Sequence, residues 1–149
     1  MRIDDFCILS GNITFKNNIH LAAYSALYGG TAGINIDSFS NISSRVCVYA
    51  ISDDYSGCFM TNPTIPEKYK HTQNEPVVLE KHVIIGSGSI VLPGVVLKEG
   101  TALGAMTLCK KTTDPWSIYF GIPARFYKKR EKKILDIEKI LLNEDEDIE

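Results

Sequence analysis

The 149-residue sequence predicts an all-β solenoid, in which the chain winds through short parallel strands. Two observations support this prediction. From Ile3 onward an apolar residue recurs at every sixth position, and a small or β-branched residue follows it four positions later in nearly every repeat. A period of six matches neither an amphipathic helix nor an alternating strand, but it is a signature of β-helices. The fourteen apolar positions are Ile3, Leu9, Phe15, Leu21, Leu27, Ile36, Ile42, Val48, Leu79, Ile85, Val91, Leu97, Leu103 and Cys109.

Each repeat is interpreted as one flat side of a coil, with the apolar residue pointing inward and the small residue filling the corner. Glycines such as Gly94 and Gly100 suit corners that need a positive φ or a close backbone approach. Cys109 occupies an inward position and Cys7 a corner position, so both cysteines are interpreted as packing residues.

Composition and charge restrict the function classes. The content of 44% apolar and 23% charged residues is typical of one globular domain. The net charge of −2 argues against a nucleic-acid partner, which would need a basic surface. No apolar run is long enough for a membrane span, and residues Met1 to Asp5 lack the apolar segment of a secretory signal. We therefore expect a cytoplasmic protein.

Two interruptions of the repeat carry information. Three extra residues within Gly29–Asn35 predict a bulge in one coil. Between Val48 and Leu79 about 25 residues exceed the repeat, which predicts a protruding loop over 53–78. Long loops inside compact domains are usually functional, and this one is polar, aromatic and stiffened by proline.

The repeat ends after Thr113, and a turn follows at Gly121–Arg125. From about Lys128 apolar residues recur at helical spacing among charges, which predicts one amphipathic helix that caps the solenoid or packs on a neighbouring subunit. We therefore divide the chain into a solenoid at 1–126 and a C-terminal helix with an acidic tail at 127–149.

Together these features resemble the left-handed β-helix, hexapeptide-repeat acyltransferases, in particular the galactoside, maltose and surface-polysaccharide sugar O-acetyltransferases. The resemblance covers about Ile3 to Lys128 and rests on the fourteen repeats, the extra residues, the long loop and the Gly121–Arg125 turn. It implies a left-handed parallel β-helix of about five coils and a homotrimer that holds acetyl-CoA between its subunits. The implied reaction moves an acetyl group to a sugar or glycan hydroxyl in surface polysaccharide biosynthesis. No metal is expected.

The resemblance also implies a set of cofactor contacts. Lysine and arginine side chains suit the pyrophosphate and 3′-phosphate of CoA, because they neutralise these groups through charge-assisted hydrogen bonds. Small side chains let the pantetheine arm approach the backbone. The matching positions are Ser87, Ala105, Lys110, Lys111, Arg125 and Lys128.

The expected general base departs from the family pattern. The family uses a histidine before the long loop, and this sequence has Asp53 there. An unperturbed carboxylate is a weak base, but burial beside Asp54 would raise its pKa. His82, where the chain rejoins the repeat, is a second candidate, because an imidazole titrates near neutral pH. His71 in the loop is a third, and His20 is interpreted as a surface residue. An amine acceptor that arrives unprotonated would need no base.

The sequence also offers candidate residues that bind the acceptor substrate. Ser25 occupies one substrate-contact position of the family, and Thr31 lies near the place of the family's substrate-binding acid, which is missing here. The other candidate substrate-binding residues are Arg45, Asp54 and Tyr55. Arg45 is expected either to pair with one of the two aspartates or to contact an acidic group of the substrate. The loop aromatics, Tyr55, Phe59 and Tyr69, either stack on a sugar ring or pack the loop down.

Other functions stay open. The nearest alternative is N-acetylation of a nucleotide-linked amino sugar, and a further one is a trimeric scaffold that has lost catalysis. The γ-type carbonic anhydrases share the predicted fold but need three zinc-binding histidines. With only His20, His71 and His82, and no close pair among them, that function is disfavoured.

Overall fold

The computed structural model describes residues 1–146. Sixteen strands, a 3₁₀ turn (Glu67–Tyr69) and one α-helix (α1, Ile134–Glu146) occupy this part of the chain. The strands are β1 (Arg2–Ile3), β2 (Ile8–Phe15), β3 (His20–Leu21), β4 (Ala26–Ile36), β5 (Asn41–Ile42), β6 (Cys47–Tyr49), β7 (Ile51–Asp53), β8 (Thr72–Asn74), β9 (Val77–Leu79), β10 (Ile84–Ile85), β11 (Ile90–Val91), β12 (Val96–Leu97), β13 (Ala102–Leu103), β14 (Leu108–Cys109), β15 (Ser117–Phe120) and β16 (Arg125–Lys129).

The strands form three parallel stacks that share one core. The first stack contains β1, β3, β5, β10, β13 and β15. The second contains the starts of β2 and β4 with β6, β11 and β14, and the third contains the ends of β2 and β4 with β9 and β12. Paired residues lie eighteen apart, as in Arg2 with His20 and Ile84 with Ala102, which equals three six-residue repeats. The expectation of an all-β fold of parallel strands followed by one C-terminal helix is confirmed.

The pairing register also locates both interruptions of the repeat. Along β2 and β4 the offset between partners rises from eighteen at Ile8 and Ala26 to twenty-one at Ile13 and Ile34, so the three extra residues enter β4 as expected. Cys47 in β6 pairs with Ile90 in β11, forty-three residues later. The excess over eighteen is the 25-residue loop that the sequence predicted.

Most of the inward positions form the core. Every one from Leu21 to Cys109 is buried, and burial raises the pKa of the Cys109 thiol to about 11, which fits an inert packing residue. Ile3 and Leu9, in contrast, are 39% and 44% exposed. Their strands lie at the end of the stacks and have a pairing partner on one side only, so the expectation that the repeat is buried from its first residue is wrong.

Large side chains occupy corners that the sequence analysis assigned to glycine. Phe39, His82 and Trp116 all have a positive φ and follow one another along the same corner as Gly100. The Phe39 and His82 rings lie 5.4 Å apart, and the His82 and Trp116 rings lie 5.9 Å apart. A Cβ atom on Gly100 would come within 2.4 Å of the Trp116 ring. Ring contacts, stacked between Phe39 and His82 and tilted between His82 and Trp116, therefore accompany the left-handed backbone along this corner.

The C-terminal segment differs from the expectation at its start. Residues Arg125–Lys129 form β16, which pairs antiparallel with β15, so the helix begins at Ile134 and not near Lys128. Glu138 is a buried residue of α1, whereas Ile137 and Ile140 on the same helix are exposed. The acidic tail extends past residue 146, outside the described residues. In the part that the structure describes, none of the helices combines the length and hydropathy that crossing a membrane requires.

Candidate functional site

A cleft of about 830 Å³ lies between the outer side of the second stack and the protruding loop. The loop is held in place by β7 and β8, which pair antiparallel at its two ends. The stack contributes Ser10, Tyr28, Tyr49, Ile90, Leu92 and Leu108, and the loop with its flanking strands contributes Ile51, Ser52, Asp53, Tyr55, Pro63, Glu67, Lys70 and Thr72.

Asp53 is the last residue of β7, and its pairing with Thr72 of β8 fixes its position. Its side chain is exposed and lines the cleft. Its carboxylate makes no hydrogen bond or ion pair with the residues that the structure describes. The expected burial of Asp53 beside Asp54 is therefore wrong for the single chain, because this side chain is exposed.

Asp54 has a different environment. Its Oδ1 accepts hydrogen bonds from the Ser56 hydroxyl and from the Ser56 backbone N–H, the latter at 2.8 Å. The Ser56 hydroxyl, followed by the backbone bond, lowers the pKa of Asp54. This aspartate fixes the start of the loop, as aspartate often does in turns, and Asp54 is not among the described residues that line the cleft.

His82 does not line the cleft either. It is 6% exposed, packed between the Phe39 and Trp116 rings, and its Nε2 lies 2.7 Å from a carboxylate oxygen of Glu138 on α1. Lys81 Nζ donates to the other Glu138 oxygen, and this bond is the first cause that lowers the pKa of Glu138. His82 is thus positioned to hold the C-terminal helix and lies away from the cleft that Asp53 lines in the single chain.

The remaining histidines also have local partners. His20 lies between Asn41 and Asp4, at 3.0 and 2.9 Å, and the His71 ring packs 5.3 Å from the Phe59 ring. Among residues 1–146 no group of three histidine, cysteine, aspartate or glutamate side chains is arranged to hold a metal ion.

Three of the expected substrate contacts are placed elsewhere. Ser25 is fully buried, where its hydroxyl donates to the Ser43 carbonyl at 2.9 Å and accepts from the Val46 N–H at 3.3 Å. The Thr31 hydroxyl accepts a hydrogen bond from the Asn74 amide, which fixes the bulge in β4. The Arg45 guanidinium lies over the Tyr24 ring, 5.6 Å from its centre, and pairs with neither aspartate. Of the expected set, Tyr55 lines the cleft with Asp53.

Two smaller cavities continue from the cleft. One, of about 310 Å³, is lined by Ser52 and Tyr55, which also line the cleft, and by Lys110. The next, of about 410 Å³, is lined by Lys110, Lys111 and Ala124 near the end of the stacks. Because neighbouring cavities share lining residues, they lie next to one another in a row that runs from Asp53 to Lys111.

The other expected cofactor residues are exposed but lie outside this row. Ser87 and Ala105 are on adjacent coils at one corner, where the Ser87 hydroxyl is 3.4 Å from that of Ser44. Arg125 and Lys128 are on β16, opposite Phe120 and Ile118 of β15. The structure therefore brings Lys110 and Lys111 together in one cavity and leaves the other four as two pairs on the surface of the single chain, one at the corner and one on β16.

Sequence reasoning missed Tyr28, Tyr49, Glu67 and Lys70. A signal for the two tyrosines was present, because each directly follows an inward apolar residue and successive side chains of a strand point to opposite faces. No comparable signal marks Glu67 and Lys70, which reach the cleft only through the folding of the loop.

No family model matches the sequence. The chain is 43% identical over 143 residues to a dTDP-4-amino-4,6-dideoxy-D-glucose acyltransferase from Escherichia coli, covering 94% of this chain and 74% of that protein. The chain belongs to the hexapeptide-repeat acyltransferase family. The crystal structure of AntD, an N-acyltransferase from Bacillus cereus in complex with dTDP and 3-hydroxybutyryl-CoA, superimposes with a TM-score of 0.93 at 52% identity, covering 96% of this chain and 76% of AntD.

More distant members share parts of this likeness. The putative lipopolysaccharide biosynthesis O-acetyltransferase WbbJ of Escherichia coli is 25% identical over 138 residues, covering 87% of this chain and 65% of WbbJ. A hexapeptide-repeat acetyltransferase from Vibrio cholerae superimposes with a TM-score of 0.65 over 84% of this chain and 74% of its own, at 16% identity. The latter likeness supports the fold alone.

Proposed function

We propose that this acyltransferase moves an acyl group from acyl-CoA to the amino group of a dTDP-linked 4-amino-4,6-dideoxy sugar. The observation that carries the proposal is the row of cavities with Asp53 at one end and Lys110 and Lys111 at the other. The two most fully matching relatives described above act on, or are bound to, dTDP compounds. The amine therefore replaces the sugar hydroxyl as the preferred acceptor.

The charges along the row of cavities suit an acyl-CoA whose phosphates lie at the end with Lys110 and Lys111. Lys110 and Lys111 are both exposed and adjacent, so they supply the positive charge that CoA phosphates require. The thioester would then lie near Ser52 and Asp53, where the row joins the cleft. CoA-bound crystal structures of AntD support an acyl-CoA co-substrate.

The charge of the cleft favours an amine over a hydroxyl. Asp53 and Glu67 bring two carboxylates to its lining, against the single cation of Lys70 among the described lining residues. An amino sugar arrives largely as an ammonium ion, which such a lining attracts. In the proposed reaction Asp53 accepts a proton from this ammonium, the freed nitrogen attacks the thioester carbonyl, the C–N bond forms and the C–S bond breaks. CoA leaves as the thiolate and takes up the second proton, which the nitrogen loses as it becomes an amide.

Crystallised variants of AntD have a substitution either at a serine or at an aspartate ten residues further along. In this chain two serine–aspartate pairs have that spacing, Ser43 with Asp53 and Ser44 with Asp54. We assign the proton transfer to Asp53, because Asp54 is bound to Ser56 while Asp53 is free of described partners and faces the cleft.

We also propose that the three stacks close as a left-handed β-helix and that three copies assemble with sites between them, in the cytoplasm. Exposed apolar side chains support assembly: Ile8 and Ile90 on the second stack, and Ile137 and Ile140 on α1. Light scattering coupled to size exclusion tests the trimer, and a monomeric mass would contradict it.

The function is tested by incubating the protein with acetyl-CoA or 3-hydroxybutyryl-CoA and dTDP-4-amino-4,6-dideoxyglucose. We expect thiol release and a product that is heavier by one acyl group, with NMR locating that group on the amine. dTDP-6-deoxyglucose, which has a hydroxyl in place of the 4-amino group, is the matched control and should give no product. Turnover with dTDP-6-deoxyglucose or a free sugar would instead support O-acylation, and no thiol release with any acceptor would support a scaffold.

A further inference from the structure

Five outward side chains form a column along the second stack, within the row of cavities. Ser10 pairs with Tyr28, and Tyr28 pairs with Tyr49. The register of β6 with β11, and of β11 with β14, continues the column through Leu92 to Lys110. The column is therefore polar and small at one end, aromatic in the middle and basic at the other end.

The two tyrosines form a stack with one unoccupied face. Their rings lie 5.1 Å apart and 10° from parallel, close to the spacing of about 4.8 Å between neighbouring strands. Leu92 is the neighbour on the far side of Tyr49. On the far side of Tyr28 the neighbour is Ser10, whose side chain is too short to cover the ring. The rung of Ser10, which is the layer of the stack that β2 forms, thus leaves a slot over the Tyr28 ring that is open on its far side, because β2 pairs with β4 alone among the described strands. Ser10 and Tyr28 both line the cleft.

Lys70 is the positively charged residue that lines the same cleft as this slot. Its side chain is only 7% exposed, and its Nζ lies 2.7 Å from a carboxylate oxygen of Glu67, whose side chain is 85% exposed. An ion pair with so exposed a partner contributes little. An anion of higher charge that entered the cleft would therefore displace Glu67 from a lysine whose stem the loop already holds.

We propose that Ser10, Tyr28 and Lys70 form the nucleotide subsite of the acceptor: the pyrimidine ring stacks on the free face of Tyr28 at the rung of Ser10, and the diphosphate binds Lys70. This inference rests on the proposed function, since it assigns the part of the substrate that the reaction leaves unchanged. The acyl-CoA occupies the other end of the column, beyond Leu92.

The slot is tested by filling it. Ser10→Tyr places a third ring over Tyr28 at an exposed strand position that tolerates an aromatic residue. We expect Ser10→Tyr to weaken dTDP binding at least about thirtyfold in calorimetry, and Tyr28→Leu to weaken it about ten- to hundredfold, as loss of base stacking does. Thr14→Tyr, at an exposed position of the same strand that does not line the cleft, is the matched control and should bind dTDP like the wild type. All variants should keep the wild-type Kd for CoA and the wild-type melting temperature.

Thymidine, which has no phosphates, separates the two contacts. Ser10→Tyr and Tyr28→Leu should weaken thymidine and dTDP alike, whereas Lys70→Met should weaken dTDP about tenfold and leave thymidine unchanged. Glu67→Gln should leave dTDP binding the same or stronger. If the wild type acylates the dTDP-linked sugar but Ser10→Tyr and Tyr28→Leu bind dTDP normally, the inference is wrong and the proposed function stands. If the wild type neither binds dTDP nor acylates the sugar, both fail.

Discussion

Asp53 and His82 are both candidate bases in the sequence, but they lie in opposite environments. Asp53 is exposed at the rim of a cleft, and its carboxylate has no partner among the described residues. His82 is buried between two aromatic rings and bound to Glu138, with the Arg130 guanidinium donating to its carbonyl oxygen at 2.8 Å. A group whose hydrogen bonds are already satisfied within the fold stabilises it, whereas a group left free can act on a ligand. The ordinary pKa values of aspartate and histidine did not predict which of these two side chains is free to act on a ligand.

The largest effect is expected from Asp53→Asn. Loss of the proton acceptor should lower kcat by about 10²–10⁴ with the KM for acyl-CoA unchanged, as steady-state thiol release will show. Asp54→Asn is the matched control, since its carboxylate holds the loop through Ser56, and it should lower kcat by less than about threefold. If Asp54→Asn shows the larger loss of kcat and Asp53→Asn the smaller one, Asp54 is the base and the assignment of proton transfer to Asp53 is wrong.

Glu138→Gln tests the structural half of the comparison. Weakening the bonds to Lys81 and His82 should reduce the free energy of unfolding by about 1–3 kcal/mol and the melting temperature by about 5 °C, with kcat unchanged. Asp136→Asn, in an exposed pair on the same helix, should shift the melting temperature by less than about 1 °C. A hundredfold loss of kcat in Glu138→Gln would return His82 to the catalytic site.

The bonds of Glu138 to Lys81 and His82 also make the stability of the fold depend on pH. Because the folded state lowers the pKa of Glu138 from its ordinary value of 4.5, the stabilisation by its carboxylate is complete above that value and is lost as the pH falls through the lowered pKa. The melting temperatures of wild type and Glu138→Gln should therefore differ at pH 7 and converge as the pH falls below 4.5. A difference that persists in acid would mean that the charge of Glu138 is not what stabilises the helix.

Lys111→Ala tests the far end of the row of cavities. Loss of one charge-assisted contact to a CoA phosphate should raise the KM for acyl-CoA about tenfold and leave kcat unchanged. Lys128→Ala, outside the row, is the matched control and should change this KM less than about twofold. Equal effects of the two variants would indicate that the cofactor follows the surface of β16 instead.

The smallest effect is expected from Ser25→Ala. The Val46 N–H loses its buried acceptor, so the free energy of unfolding should fall by about 1 kcal/mol, measured by urea denaturation. Both KM values should remain unchanged. A higher KM for the acceptor would restore Ser25 to the substrate site and contradict its assignment to the core.

Residues that act through the repeat were predictable, and residues that act through the loop were not. The six-residue period identified Leu21 to Cys109 as core, and the two register offsets in β4 and β6 agree with the interruptions read from the sequence. Lys70 and Glu67 reach the cleft through a loop with no period, so no spacing rule locates them. His82 occupies a corner position whose partner, Glu138, lies 56 residues away in the chain.

The sequence by itself determined the parallel stacks, the bulge and the length of the loop, because strand pairing repeats at a fixed interval along the chain and any extra residue must leave it. Only the tertiary structure decided which titratable groups are free. Burial and hydrogen bonding depend on contacts between residues that are distant in the chain, and these contacts paired His82 with α1, Asp54 with its own turn and Ser25 with the core. They left the carboxylate of Asp53 facing the cleft, with Lys110 and Lys111 at the other end of the row.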